Sequence, residues 1–356
     1  MTVFLLNPGP VTLSPRVRES LLGPDLCHRE PEFFDLQDAA RAGLLAVYDL
    51  DPAEWAAVLL TGSGTAAVES MVASVVPADG RLLVLENGVY GERMTAIAEC
   101  HGIGHETLAG DWLAGPDLDA LAARLAGSPA VTHVAVVQHE TTTGRLTDLS
   151  PIGAVCRAHG VRMLVDGVSS FGGEEIDFAL PIDAVAGTAN KCLHGVPGIA
   201  FAVVQRAALA SAARRAYYLD LTRLASLQDQ RNTPFTPAVQ SLYALVEALA
   251  ELREEGGWRE RHARYARYAD AVGEGLRRVG VAPLLPAGTS SVVLRSYRLP
   301  DSVTYTDLHD GLKDEGFVIY AGQGELAKSI FRISTMGDLH DADVERLVGA
   351  LTKAFS

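Results

Sequence analysis

Short apolar runs alternate with amphipathic segments between residues 55 and 205. The runs have the length of buried strands, and the polar residues that follow them indicate where each strand ends. Between the runs, apolar residues recur at helical spacing, for example over residues 66–76 and 152–160. This strand–helix repeat predicts an α/β fold in which a mainly parallel sheet is covered by helices on both faces.

The pattern changes after about residue 255, where strands and helices no longer alternate regularly. Strands are predicted at 289–299, 317–323 and 329–335, and helices at 307–316 and 341–355. We therefore expect a small C-terminal α+β domain over residues 255–356, preceded by a large domain over residues 21–254.

Three segments have patterns of their own. In the N-terminal segment, residues 1–20, the run Pro8-Gly9-Pro10 predicts a rigid extended turn. Residues 217–237 are predicted to be irregular and little buried, and Thr236 is predicted to begin the long helix that follows. The helix from Trp258 carries arginines interleaved with aromatic residues, which predicts a solvated helical face.

Composition narrows the class of protein. The chain has 356 residues and a formal net charge of −14, which argues against nucleic acid or an anionic membrane as a partner. No apolar run approaches the ~18 residues of a membrane span. No N-terminal signal pattern is present either, so we expect a cytoplasmic protein. The four cysteines form no CxxC pair, so we expect them to be reduced, and no metal site is predicted.

Two of the apolar runs lead to residues that can carry chemistry. Residues 161–165 are followed by Asp166, and residues 182–186 lead through a small-residue turn to Lys191. Ligands of open α/β sheets bind at the carboxyl ends of the strands. An aspartate and a lysine at that edge suit pyridoxal 5'-phosphate, because the lysine can bind its aldehyde covalently and the aspartate can keep its ring nitrogen protonated.

A glycine-rich turn follows the run at 55–60. Gly62, Ser63, Gly64 and Thr65 precede a helix, so main-chain N–H groups and hydroxyls can converge on an anion such as a phosphate. The same residues also fit G-x-G-x-x-A, and Glu86 ends the next apolar run. A nicotinamide-dependent oxidoreductase therefore stays open as an alternative, although such a site has no obvious use for Asp166 and Lys191.

The motifs VDGVSSFGG and TANKCLHGVPG resemble those of the class V aminotransferases of PLP fold type I. Within that family, the lysine motif is most similar to that of the 2-aminoethylphosphonate–pyruvate transaminases. The similarity extends from NPGPVTLSP to FRIS, nearly the whole chain. It implies a large domain with a mainly parallel, seven-stranded type of sheet, a small C-terminal domain, and an N-terminal segment that lines the entrance of the active site.

The resemblance also implies roles for individual residues. Tyr90 is expected to stack on the pyridine ring, and Thr141 to donate a hydrogen bond to its phenolic oxygen. Thr233 and Thr236 are expected to cross to the partner of a homodimer and to help hold its cofactor phosphate. Arg332 lies among apolar residues and matches the family's carboxylate-binding arginine, while Arg29 and His28 are candidates for a second anion. The remaining expected cofactor contacts come from Ser63, Gly64, Thr65, Val168 and Asn190.

The activity that the resemblance implies is transfer of an amino group from 2-aminoethylphosphonate, or a related amino phosphonate, to pyruvate. The products are phosphonoacetaldehyde and alanine. Other members of the family pair alanine or serine with glyoxylate, and this is the alternative within the same class. The chemical alternative outside the class is the nicotinamide-dependent oxidoreductase.

Overall fold

The apolar runs of the large domain form one sheet in the computed structural model, which describes residues 3–128 and 130–355. Met1, Thr2, Pro129 and Ser356 belong to the predicted segments but lie outside the described residues. The strands of this sheet are β2 (Trp55–Gly62), β3 (Arg81–Glu86), β4 (His105–Ala109), β5 (Val131–Val137), β8 (Arg162–Asp166), β9 (Ile182–Thr188) and β10 (Gly198–Gln205). Two short strands, β6 (His139–Glu140) and β7 (Arg145–Leu146), pair with each other beside it.

Strand order in the described sheet is β2-β10-β9-β8-β5-β3-β4. Strands β9, β8, β5, β3 and β4 pair in parallel, whereas β10 runs antiparallel to both of its neighbours. The predicted fold class, a mainly parallel seven-stranded sheet with a small C-terminal domain, is therefore confirmed. Strand β9 is buried along its whole length and β10 at every residue except its two ends, which explains why the sequence shows continuous apolar runs instead of alternation.

Helices cover both faces of the sheet. The N-terminal segment contains the short helix α1 (Pro15–Ser20). The helices of the large domain are α2 (Pro31–Ala46), α3 (Gly64–Val75), α4 (Val89–Cys100), α5 (Leu118–Gly127), α6 (Leu149–Ala158), α7 (Arg206–Ala210), α8 (Leu221–Asp229) and α9 (Val239–Glu254). One face of the sheet packs on α2, α5, α6 and α9 through residues such as Leu44, Leu121 and Leu245. The other face packs on α3, α4 and α8 through residues such as Met71, Met94 and Leu224.

The C-terminal part forms a separate layer with its own core, which includes Leu276, Phe317 and Phe331. Its elements are α10 (Trp258–Arg278), β11 (Leu294–Arg298), α11 (Tyr305–Asp314), β12 (Phe317–Val318), β13 (Tyr320–Ala321), a 3-10 turn (Gly324–Leu326), β14 (Ile330–Ser334) and α12 (Asp341–Phe355). The N-terminal strand β1 (Phe4–Leu5) pairs in parallel with β12, so the first residues cross to this layer before the chain enters the large domain. No helix within the described ranges is long and apolar enough to span a bilayer.

Three local predictions need correction. Residues 217–237 contain the helix α8, which buries Leu221, Leu224 and Gln228 at helical spacing. The long helix α9 starts at Val239 with Ala238 as its N-cap, so Thr236 precedes the helix and does not cap it. The arginines of α10 are not all solvated, because Arg261 is only 2% exposed.

Candidate active site

The carboxyl ends of β8 and β9 open into a cavity of about 370 Å³, which we call the central cavity. The two strands are parallel neighbours, with Asp166 of β8 opposite Ala186 of β9. This pairing brings Asp166 and the residues after β9 to the same edge of the sheet. The central cavity is lined by Gly62, Ser63, Gly64, Thr65, Val68, Tyr90, Arg93, Asp166, Val168, Thr188, Asn190, Lys191, Pro197 and Gly198.

Lys191 lies in a tight loop that begins after β9, at Ala189. The Thr188 hydroxyl donates to Oδ1 of Asn190 at 2.8 Å, and the N–H of Gly195 donates to the carbonyl of Ala189 at 2.8 Å. The Lys191 ammonium donates to the carbonyl of Pro8 in the N-terminal segment. Gly9 has φ +115°, and a Cβ on it would lie 2.5 Å from Cδ of Lys191, so only glycine leaves room for this lysine.

Burial shifts the pKa of both catalytic candidates, Lys191 and Asp166. It lowers the pKa of Lys191 from 10.5 to about 8, and the positive charges of Arg332 and Arg93 act in the same direction. It raises the pKa of Asp166 from 3.8 to about 6, against the opposing effects of the Val168 N–H and of nearby cations. A cationic ring nitrogen beside Asp166 would favour the ionised carboxylate.

The glycine-rich turn, residues Gly62 to Thr65, provides a place for an anion. Ser63 is the N-cap of α3, yet among the described residues its hydroxyl makes no capping hydrogen bond and so can donate to a ligand. A Cβ on Gly64 would lie 2.6 Å from Cγ1 of Val168, so the glycine is needed for the close approach of these two walls. The N–H groups at the N-terminus of α3 and the hydroxyls of Ser63 and Thr65 can therefore converge on one anion, and we call this arrangement the phosphate cradle.

Tyr90 and Arg93 form the wall contributed by α4. The guanidinium of Arg93 lies 4.6 Å from the centroid of the Tyr90 ring, and its Nη1 donates to Oγ1 of Thr65 at 3.1 Å. Sequence reasoning did not select Arg93. The available signal was its position three residues after Tyr90 in the first turn of a helix, which places both side chains on one face.

The loop Thr141–Gly144, here the threonine loop, meets Arg332 from the small domain. Arg332 is 1% exposed, and it donates to the carbonyls of Thr141 at 2.7 Å and Ala321 at 2.8 Å. These partners are neutral, and within the described residues Arg332 makes no ion pair with a carboxylate. The Thr141 hydroxyl is buried without a hydrogen-bond partner in the described part of the chain, although Thr141 does not line the central cavity.

A second buried carboxylate, Glu140, was also missed from sequence. Its Oε2 accepts from the N–H of Tyr90 at 3.1 Å and its Oε1 from the N–H of Thr142 at 3.0 Å. It therefore ties the first turn of α4 to the threonine loop. Burial raises the pKa of Glu140 to about 7.

Besides Thr141 and Arg332, four more predicted site residues do not line the central cavity. Arg29 donates to Oδ1 of Asn232 at 2.7 Å and to the carbonyl of Thr233 at 2.8 Å. Thr233 and Thr236 line a separate apolar cavity of about 30 Å³, and His28 lines neither cavity. Within one chain, these residues and the Lys191 site are thus not brought together.

The strand order contradicts the nicotinamide alternative. A dinucleotide fingerprint requires its glycine turn and its acidic residue on neighbouring parallel strands. Here β2, which carries Gly62, and β3, which carries Glu86, are separated by β10, β9, β8 and β5. The Glu86 carboxylate instead accepts a hydrogen bond from the hydroxyl of Thr95.

The size and lining of the central cavity fit pyridoxal phosphate. The cavity has the volume of a cofactor pocket, and its wall combines a phosphate cradle, an aromatic ring, a buried aspartate and a lysine with a lowered pKa. A family model described as "Aminotransferase class-V" matches residues 30–347. The chain belongs to the class-V aminotransferases.

This class-V aminotransferase aligns with known relatives over almost its whole length. It is 38% identical to a 2-aminoethylphosphonate–pyruvate transaminase from Aeromonas hydrophila, over 99% of this chain and 94% of that protein. A protein of the same name from Vibrio cholerae is 36% identical, over 99% and 97%. The solved structure of an alanine–glyoxylate aminotransferase from Nostoc matches with a TM-score of 0.91 at 27% identity, covering 100% of this chain and 96% of that chain.

Proposed function

We propose that this aminotransferase is a homodimer that uses pyridoxal 5'-phosphate to move the amino group of 2-aminoethylphosphonate to pyruvate. The products are phosphonoacetaldehyde and alanine. The observation that carries the reaction type is that Lys191 and Asp166 line one cavity together with a phosphate cradle. The names of relatives that are 36% and 38% identical over nearly the whole chain support the substrate pair.

Pyridoxal phosphate, when bound, supplies an aldehyde for an amine and a ring that delocalises the charge of a deprotonated carbon. We assign Lys191 to the aldehyde, Asp166 to the ring nitrogen and Tyr90 to the ring face. Thr141 is assigned to the phenolic oxygen because its buried hydroxyl lacks a partner in the described part of the chain. The remaining contacts are assigned to Ser63, Gly64, Thr65, Val168 and Asn190.

Lys191 has two tasks in this proposal. With a pKa of about 8, an appreciable fraction of its amine is neutral near pH 7, as nucleophilic attack requires. When it is not bonded to the aldehyde, the same amine would accept and move the proton of the reacting substrate carbon as a general base. The N-terminal segment supports both tasks, because the carbonyl of Pro8 holds the amine at the cavity.

Arg332 is proposed to bind the carboxylate of pyruvate. Its hydrogen bonds to Thr141 and Ala321 orient the guanidinium without neutralising it. A planar guanidinium binds a carboxylate in bidentate geometry, and a buried uncompensated charge favours an anionic ligand.

The proposed homodimer explains how predicted site residues that do not line the central cavity could still serve an active site. Arg29 and Thr236 are exposed, whereas Thr233 is buried and its carbonyl accepts from Arg29. In the same region of the chain, Tyr217 is 73% and Tyr218 42% exposed. Exposed aromatic side chains of this kind are typical of interfaces. In the proposed dimer, Thr233 and Thr236 help to hold the phosphate of the partner's cofactor, and Arg29 and His28 are the candidates for the donor's phosphonate.

A half-reaction screen tests the proposed donor. The cofactor-loaded protein is mixed with 2-aminoethylphosphonate, alanine or serine, and absorbance follows conversion of the cofactor to its amine form. We expect 2-aminoethylphosphonate and alanine to react, because alanine is the product formed from pyruvate. The Lys191→Ala variant should react with neither.

The same screen addresses the alternative within the family. The Nostoc alanine–glyoxylate aminotransferase, with its TM-score of 0.91, supports that second candidate function. Conversion by alanine and serine without conversion by 2-aminoethylphosphonate would replace the proposed function with the alanine/serine–glyoxylate reaction.

A further inference from the structure

Arg93 is a cation on the wall of the central cavity, and the roles assigned above do not include it. Its Nη1 donates to Oγ1 of Thr65 at 3.1 Å, and its guanidinium lies 4.6 Å from the Tyr90 ring centroid. Within residues 3–128 and 130–355, it makes no ion pair with a carboxylate. A half-buried guanidinium on a cavity wall with one hydroxyl and one aromatic face as partners keeps donors for an anion.

The position of Arg93 is linked to the phosphate cradle through Thr65. A threonine hydroxyl can accept one hydrogen bond while it donates another. Because Thr65 accepts from Arg93, its own proton is available to an anion at the N-terminus of α3. The N–H groups of α3, the Thr65 hydroxyl and the guanidinium can therefore act on one ligand together.

Arg93 also contributes to the electrostatics of the catalytic pair. Burial is the main cause of the altered pKa values of Asp166 and Lys191, and the positive charge of Arg93 lowers the pKa of both groups. The charge of Arg93 thus reaches the same part of the cavity in which the reaction is proposed to take place.

We propose that Arg93 is a phosphoryl-binding residue of this cavity and acts on a tetrahedral dianion together with Thr65. The fork of a guanidinium matches two oxygens of a phosphoryl group, and a charge-assisted pair is stronger than a neutral hydrogen bond. This inference rests on the proposed function, which supplies two sources of that chemistry. One source is the phosphate ester of the cofactor, and the other is the phosphonate of the donor.

The cofactor arm of the test uses the protein freed of cofactor. Dissociation constants for pyridoxal phosphate and for pyridoxal, which lacks the phosphate, are measured by fluorescence for the wild type, Arg93→Gln and Arg93→Lys. If the phosphate is the ligand, Arg93→Gln weakens binding of pyridoxal phosphate about tenfold or more and changes pyridoxal binding little. Arg93→Lys should recover part of the loss because it keeps the charge.

Arg259→Gln is the matched control. Arg259 is exposed and lies 4.6 Å from the Trp258 ring centroid, so its loss removes the same charge and the same kind of ring contact away from the cavity. We expect this variant to bind both ligands like the wild type.

The donor arm uses the cofactor-loaded protein in the half-reaction. If the phosphonate is the ligand, Arg93→Gln raises the saturating concentration of 2-aminoethylphosphonate about tenfold and leaves that of alanine unchanged. Equal weakening of pyridoxal phosphate and pyridoxal would overturn the proposal, since it would make Arg93 only a support for Tyr90. Unchanged binding of both phosphoryl ligands would overturn it as well.

The two arms separate this inference from the proposed donor. A selective loss of pyridoxal phosphate binding supports Arg93 even if 2-aminoethylphosphonate fails in the amine screen. If 2-aminoethylphosphonate reacts while Arg93→Gln behaves like Arg259→Gln in both arms, the donor stands and the role of Arg93 is refuted.

Discussion

At the scale of single residues, burial in the site disfavours the charged forms of Asp166 and Lys191. Asp166 is 6% exposed, and within the described residues the hydrogen bond it accepts is from the N–H of Val168 at 3.0 Å. Lys191 is held by a carbonyl of a neighbouring segment. Such groups make the protein less stable without a ligand and more reactive with one, a common balance at active sites.

We predict that Asp166→Asn stabilises the cofactor-free protein at pH 7. The pKa of Asp166 is about 6 when folded and 3.8 in its ordinary state, so its contribution to stability is largest below pH 3.8 and is lost as the pH rises through 6. Asparagine avoids the buried charge, and the gain in the free energy of unfolding should be about 2–3 kcal/mol at pH 7. Urea unfolding between pH 4 and 8 measures it, and a gain that does not shrink towards pH 4 contradicts this cause.

We predict that Arg332→Ala raises the KM for pyruvate about a hundredfold, because a buried charge-assisted pair is lost. The absorbance of the bound cofactor should change little, since Arg332 does not line the central cavity. Steady-state kinetics and absorbance spectra give the two readouts. Arg295→Ala is the control, because this arginine of the neighbouring strand β11 pairs with Asp270 at 2.8 Å. An unchanged KM would leave Arg332 a structural residue.

At the scale of elements, α10 fixes the loop that carries Lys191. Nη1 of Arg261 donates to the carbonyl of Cys192 at 2.8 Å, and its Nη2 pairs with Glu255 at 2.7 Å. In the same loop, Nε2 of His194 accepts from the N–H of Gly337 at 2.9 Å. The lysine loop is therefore held by both a helix and a turn that follow the large domain in sequence.

We predict that Arg261→Met lowers the free energy of unfolding by about 3 kcal/mol, because Glu255 loses a buried partner. Arg277→Met on the same helix should cost less than about 0.5 kcal/mol, since an exposed ion pair contributes little. The side chains of Arg261 and Arg277 are 2% and 70% exposed, respectively. Chemical unfolding of both variants provides the comparison, and equal losses would contradict a special role for the buried arginine.

At the scale of the whole molecule, the proposed dimer would complete each site with residues from two chains. We predict that a mixture of the inactive variant Lys191→Ala with the double variant Thr233→Ala, Thr236→Ala regains roughly a quarter of the wild-type activity. Random exchange makes half of the dimers hybrid, and each hybrid carries one intact site. Activity is measured after mild dissociation and reassociation of the two variants.

Recovery of activity in the mixture is expected only if Thr233 and Thr236 of one chain serve the site of the other chain. If Thr233 and Thr236 serve the site of their own chain, each hybrid subunit retains its own defect and no activity returns. Mixing either variant with itself is the control for exchange.

The parts predicted well from sequence are those governed by short-range patterns. Buried parallel strands need continuous apolar runs, so the strands that end at Asp166 and before Lys191 could be placed directly. The helix α8 was missed because its apolar positions are few, although Leu221, Leu224 and Gln228 follow helical spacing. Arg93 and Arg261 were missed because arginine on a predicted helix is usually solvated, and burial of either depends on elements distant in sequence.

The sequence by itself determined the alternation of buried strands with helices in the large domain, the presence of a small C-terminal domain and the pairing of a lysine with an aspartate. These follow from the periodicity of apolar residues and from motif resemblance, which are local properties of the chain. Only the tertiary structure decided that four strands lie between β2 and β3 in the described sheet, which removes the dinucleotide site. It likewise decided that Pro8, Arg93 and Asp166 meet at Lys191, because pKa shifts and cavity walls depend on groups that folding brings together from distant segments.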